Sequence, residues 1–146
     1  MKKIIGNIWN YHKDGNWIVI PTNGEVKKNG EAVMGKGLAK QAAERFPTLP
    51  LRLARMLESG NFTYWYPDLH LITFPTKERW RDRSSLELIK LSLHGLWPWL
   101  GLDDQIYLPR VGCGNGGLSW EKEVKPLLEK YLDDRFVVIH DRNRRE

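Results

Sequence analysis

Leu108-Pro109-Arg110-Val111-Gly112-Cys113-Gly114-Asn115-Gly116-Gly117-Leu118-Ser119-Trp120 reads as the end of a short apolar strand, a glycine loop and the N-cap of a helix. Four glycines fall within six residues, more than a tight turn needs. Glycine has no Cβ, so the backbone comes close to a ligand and presents its N–H groups. A following helix N-terminus adds unpaired N–H donors and a partial positive charge. A second loop of this kind lies upstream, Val33-Met34-Gly35-Lys36-Gly37-Leu38-Ala39, after a strand and before a helix. One such loop suggests a phosphate site; two suggest a ligand gripped from both sides.

Working outward, Ile4-Ile5, Trp17–Ile20, Phe62–Tyr66, Leu69–Phe74, Gln105–Leu108 and Phe136–His140 read as strands, rich in β-branched and aromatic residues. Pro67-Asp68 joins the third to the fourth. Leu38–Phe46 and Pro50–Leu57 have helical periodicity; Pro47 stops the first and Ser59-Gly60-Asn61 the second. Ser84 is read as the N-cap of a helix towards Leu96, with Glu87 in the capping-box position. Ser119 caps a helix through Leu132, in which Pro126 predicts a kink or a shifted start. Pro21–Glu31 is read as a loop. The order β-β-α-α-β-β-α-β-α-β predicts a sheet covered on both faces. In such sheets ligands sit beyond the C-terminal strand ends, where both glycine loops fall.

The chain has 146 residues and is expected to form one domain, 1–146. No apolar run approaches the ~20 residues of a membrane span, and the apolar start is too short for a signal peptide. The lone Cys113 excludes an internal disulfide and fits a reducing cytoplasm. Four scattered His (His12, His70, His94, His140) give no zinc spacing. A net charge of +5 suits an anionic partner, although charge alone favours the plainer reading of a basic, soluble surface. The tail Arg142-Asn143-Arg144-Arg145 is expected to fray. Trp97 and Trp99 are expected to pack rather than to bind.

Gly30-x-x-x-x-Gly35-Lys36-Gly37 nearly matches a P-loop, but Gly37 stands where a Ser or Thr would hold magnesium. That argues against an NTPase and leaves the anion-binding use intact; a helix start that needs small residues is the plainer alternative. Gly112-x-Gly114-x-x-Gly117 matches the dinucleotide fingerprint, with Asp141 ending the next strand. A Rossmann half needs further βα units and only one strand remains, so the loop reads as a free-standing cradle for diphosphate or ribose. Lys77, after Phe74-Pro75-Thr76 at a strand end, can act as electrophile, base or nucleophile, or be solvated surface. Arg79, Arg81 and Arg83 with Trp80 suit a phosphate backbone and a stacked base, or a solvated helix-entry loop.

These stretches, with Phe74-Pro75-Thr76-Lys77 and the opening Gly6-Asn7-Ile8, resemble the macrodomain family, which binds ADP-ribose. Within it they resemble the DNA ADP-ribosyl glycohydrolase antitoxin type, which removes ADP-ribose from thymidine in DNA. The resemblance covers nearly the whole chain. It implies a three-layer α/β/α fold with a mixed, mostly parallel sheet of about six strands. It places Asn7 and Ile8 at the adenine. It assigns diphosphate and distal ribose to Val33, Met34, Gly35, Gly37, Pro109, Gly112, Cys113, Gly114, Asn115, Gly116, Gly117 and Leu118. Asn23 looks like the family's ribose asparagine, although the lengthened Glu25–Glu31 loop makes Asn29 a competitor. Lys77 matches the catalytic lysine, with Asn23 as the second catalytic candidate. A related branch carries an aspartate in the second loop, where this chain has Asn115-Gly116.

The resemblance implies an ADP-ribosyl glycohydrolase acting on ADP-ribosylated DNA, monomeric, with no cofactor, metal or membrane. The alternatives are a reader of ADP-ribose or a related nucleotide without turnover, and a phosphatase of ADP-ribose-1″-phosphate. Apart from the resemblance, a basic nucleic-acid-binding domain that grips phosphates alone also fits.

Overall fold

In the computed structural model, residues 1–97, 101 and 103–142 are described. Among them six strands form one sheet in the order β1-β6-β5-β2-β4-β3. They are β1 (Lys2–Ile5), β2 (Trp17–Thr22), β3 (Tyr64–Tyr66), β4 (Leu71–Pro75), β5 (Ile106–Leu108) and β6 (Phe136–His140). Every pairing is parallel except β3 with β4, which the short turn after Tyr66 makes antiparallel. The helices are α1 (Ile8–Lys13), α2 (Gly37–Arg45), α3 (Leu49–Leu57), α4 (Leu86–His94) and α5 (Lys125–Tyr131). The fold is the expected three-layer α/β/α sandwich.

Strand side chains alternate between faces, and each face builds its own core. Ile18 and Ile20 of β2, Tyr107 of β5, and Val137 and Ile139 of β6 pack with Ile8, Leu38, Leu49 and Leu53. Val19, Ile106, Leu108, Phe136 and Val138 point the other way, against Ile89, Leu93, Trp120 and Leu128. Such two-faced burial needs continuous apolar strands, which is how parallel sheets read in sequence. Truncating a core residue such as Leu53 to Ala should cost about 2–5 kcal/mol.

Some local readings change and others hold. The sequence reading passes over α1, a six-residue helix of mixed aromatic and polar residues. Asn7 caps it, accepting from the Trp9 N–H at 3.0 Å. The cap of α4 is Ser85 rather than Ser84: Ser85 Oγ accepts from the Leu88 N–H at 3.2 Å, and the helix ends at His94 before Gly95. Glu87 therefore sits in the first turn but one place short of a capping box. Ser119 does cap its helix, which opens with a wide π turn, Trp120–Val124, before α5. Pro126 lies in the first turn of α5, where its missing N–H costs least. The Pro21–Glu31 loop starts later, because β2 runs to Thr22, and it folds on itself through a Val26–Ala32 bridge.

Trp97 packs on Phe136 with ring centres 5.4 Å apart, while Trp99 and residues 143–146 lie outside the described residues. Among those described, no helix is long and apolar enough to cross a membrane.

Candidate ligand cleft

The C-terminal ends of β2, β4, β5 and β6 open on one cleft of about 1050 Å³. Its walls include Thr22 and Asn23 at the end of β2, Thr76 and Lys77 after β4, Pro109 and Arg110 after β5, and Asp141 after β6. The two glycine loops complete it. A Cβ on Gly37 would stand 3.7 Å from Asn115 Nδ2, so the loops meet across the opening.

Each loop is held by backbone and side-chain bonds that follow from its sequence. Asn23 is 9% exposed; its amide donates to the Val33 carbonyl at 3.2 Å and its oxygen accepts from the Glu25 N–H at 2.9 Å. One side chain thus ties the end of β2 to the first loop. Gly37 opens α2 with φ +57, a left-handed conformation that favours glycine. In the second loop Gly112, Gly114 and Gly117 have φ of +77, +67 and +78, and a 3₁₀ turn spans Gly114–Gly116. A Cβ on Gly112 would lie 2.7 Å from Ile89 Cδ1, so this glycine also lets the loop rest on α4.

Lys77 stands on a braced backbone. The Thr76 N–H donates to the Thr22 carbonyl at 2.9 Å, and the Gly24 N–H donates to Glu78 O at the same distance. Asn61 Nδ2 donates to the Lys77 carbonyl at 3.3 Å. Partial burial pushes the Lys77 ammonium's pKa below its ordinary value, and the charge of Lys36 pushes it further. Asp82 opposes this more weakly. The lysine's amine form is therefore favoured relative to a solvated lysine. Trp80, 42% exposed, leans over the rim with Lys36 Nζ 5.5 Å and the Arg81 guanidinium 5.6 Å from its ring centres.

No protein-family model matches the chain. It is 33% identical over 132 residues to the DNA ADP-ribosyl glycohydrolase of Thermus aquaticus, covering 82% of this chain. It is 32% identical over 126 residues to the DNA ADP-ribosyl glycohydrolase of Mycobacterium tuberculosis, covering 77% of this chain. The chain spans 36% of the length of each of these relatives. The solved macrodomain of Thermus aquaticus DarG superposes with a TM-score of 0.72 at 27% identity, over 95% of this chain and 96% of that one.

This chain is a macrodomain of the DarG type.

The macrodomain's cleft gathers most of the residues singled out from sequence. Asn23, Val33, Met34, Gly35, Gly37, Lys77, Pro109, Gly112, Cys113, Asn115 and Gly116 line it, with Trp80 and Arg81 at the rim. Gly114 and Gly117 shape the second loop without lining the cleft, and Leu118 turns into the core. Asn29 does not reach the cleft: it is exposed and bonds Glu31 within the β2–α2 connection. Asn7 Oδ1 caps α1 and Ile8 is buried in the core; neither is among the residues that line this cleft. Arg83 pairs with Glu123 at 3.5 Å. Arg79 is exposed outside the cleft wall.

Sequence reasoning missed Gln41, Glu44, Arg110 and Ser84 in the macrodomain wall. Gln41 lies one helical turn beyond Gly37 on α2, a spacing visible in sequence once the loop is taken to face the ligand. Ser84 was hidden by its neighbour, because either of two adjacent serines can cap a helix.

Proposed function

We propose that this macrodomain binds ADP-ribose and hydrolyses the ADP-ribosyl glycosidic bond, with ADP-ribosylated DNA, modified at thymidine, as substrate. The observation that carries the reading is the place of Lys77. A half-buried lysine with a lowered pKa faces the same cleft as two glycine loops. The names of the relatives support the reaction class.

The loops bind the diphosphate through backbone N–H groups, and the N-terminus of α2 adds its partial positive charge. Holding the diphosphate fixes the distal ribose, so the anomeric carbon is presented in one orientation. The glycosidic bond breaks with oxocarbenium character at that carbon. Lys77 can serve this step as an ammonium that stabilises charge on the departing base, or as an amine. Burial and the Lys36 charge raise the amine fraction relative to a solvated lysine, and we assign the amine as the nucleophile. Its nitrogen lone pair attacks C1″, the bond to the base breaks, and the base nitrogen takes the electron pair and then a proton. Water displaces the amine and releases ADP-ribose.

Asn23 keeps a positioning role in this scheme, since its amide and oxygen already hold Val33 and Glu25. Trp80 and Arg81 at the cleft rim, with the exposed Arg79 beside them in sequence, are the residues we assign to a base and its flanking phosphates.

The test measures ADP-ribose release from modified DNA, modified protein and ADP-ribose-1″-phosphate side by side. Release from DNA above the other two is expected. Release from protein or phosphate alone reassigns the substrate. Tight binding without release in any arm makes the protein a reader.

A further inference from the structure

The ladder between β2 and β4 breaks at Lys77. The Thr76 N–H still donates to the Thr22 carbonyl at 2.9 Å. A regular parallel ladder would next carry the Gly24 N–H to the Thr76 carbonyl. The Gly24 N–H donates instead to Glu78 O at 2.9 Å, and the Ser85 N–H takes the Thr76 carbonyl at 2.8 Å. Lys77 and Glu78 are thus an insertion in the ladder. Among the described residues no backbone N–H reaches the Lys77 carbonyl.

Asn61, between α3 and β3, supplies the missing donor. Its Nδ2 donates to the Lys77 carbonyl at 3.3 Å and to Glu78 Oε2 at 3.2 Å. A carbonyl and a carboxylate accept only, so the amide's orientation is fixed: reversed, its oxygen would face both of them. That orientation leaves Asn61 Oδ1 buried with no partner among the described residues, a cost the fold bears to keep the donor in place. Gly24 makes room for the contact. A Cβ there would stand 2.8 Å from Asn61 Nδ2 and 3.1 Å from Glu78 Oε2. Lys77 lines the cleft, whereas Asn61 and Glu78 lie outside its wall. The amide therefore grips the backbone from behind the lysine.

We infer that Asn61 is a positioning residue for Lys77: it anchors the insertion so that the amine meets the cleft in one orientation and the Glu78 carboxylate stays outside it. The inference rests on the glycohydrolase reading and adds to it a residue that never touches the ligand. A lysine side chain is long and flexible, so its aim is only as precise as the backbone it starts from. Displacing a reacting group by about 1 Å can cost on the order of 10²-fold in rate.

Single-turnover release of ADP-ribose from modified DNA, at saturating protein, tests this. The proteins are the parent, Asn61→Ala, Asn61→Asp, Lys77→Met and the double variant Asn61→Ala/Lys77→Met, each also melted and titrated with ADP-ribose by calorimetry. Asn61→Asp keeps the side chain's volume and replaces the donor by an acceptor. Both Asn61 variants are expected to slow release by about tenfold to a hundredfold well below their Tm, with ADP-ribose affinity parental. In the Lys77→Met background the added Asn61→Ala should leave the residual rate unchanged, because the amide acts through the lysine. Parental release by both Asn61 variants overturns the assignment and leaves the glycohydrolase reading standing. A loss of affinity that matches the loss of rate, an equal loss with and without Lys77, or failure of both variants to fold also overturns it, since Asn61 would then serve the structure at large. Parental release by Lys77→Met removes the role of Lys77, and this assignment with it. A parent protein that releases no ADP-ribose overturns the glycohydrolase reading itself.

Discussion

Lys36, in the first glycine loop, and Lys77, after β4, line the same cleft and repel one another. Burial lowers the Lys77 pKa most, and the Lys36 charge is the next contribution. Removing that charge should raise the Lys77 pKa. If the amine is the working form, the rate climbs as pH rises through this pKa. Lys36→Met should therefore move the rising limb of the single-turnover profile to higher pH. A limb that stays in place would show that Lys36 does not set the protonation of Lys77, or that Lys77 does not act as an amine.

Gly35 offers a clean block of the cleft. A Cβ there would meet nothing within 4 Å, and its φ is not positive, so a side chain fits without strain. Gly35→Glu should keep the parental Tm and place a carboxylate against the diphosphate. ADP-ribose affinity should fall more than tenfold, about 1.4 kcal/mol or more. Gly116 is the poorer choice, because even Ala there collides with Ser84. Calorimetry that returns parental affinity for Gly35→Glu would move the ligand away from the first loop.

The sequence carried the central sheet because each parallel strand is a short apolar run ended by Pro, Gly or a charge. It carried both loops because left-handed backbone is written as glycine. It could not show α1, where six residues have too few apolar positions for a period and only the Asn7 cap signals a start. Nor could it separate Ser84 from Ser85, because the difference lies in which hydroxyl reaches the Leu88 N–H. Asn23 and Asn29 were equivalent as letters in a long connection. The Val26–Ala32 bridge, closed by Gly30 at φ +88, turns Asn29 out to solvent and leaves Asn23 at the cleft.

The rim arginines divide by their partners. The Arg83 guanidinium is paired with Glu123, whereas Arg79 and Arg81 are exposed beside Trp80. Only the latter two are expected to neutralise phosphates. Joint replacement of Arg79 and Arg81 by Ala should flatten the salt dependence of DNA binding by about two units of slope, roughly 0.9 for each duplex phosphate that is no longer neutralised. Affinity for free ADP-ribose should stay parental. Equal slopes for variant and parent would make both arginines ordinary surface.

Lys77 joins stability and activity in opposite senses. Its pKa in the folded protein lies below the ordinary 10.5. Below that lowered value both folded and unfolded chains hold the proton, so the folded state bears the full cost of a poorly hydrated cation facing Lys36. The cost fades as pH rises through the folded pKa and is gone above 10.5. Lys77→Met keeps an unbranched apolar side chain in place and discards the charge. Its Tm should exceed the parent's at neutral pH, and the gain should shrink as the solution is made alkaline. ADP-ribose binding should largely persist, because it is spread over the backbone N–H groups of two loops. Release of ADP-ribose from modified DNA in a single turnover should fall by ~10²–10⁴, the usual loss for one catalytic group. A lysine serving the fold would give the reverse pattern, a lowered Tm with turnover near the parental rate, and that result would end the case for Lys77 as the catalytic amine.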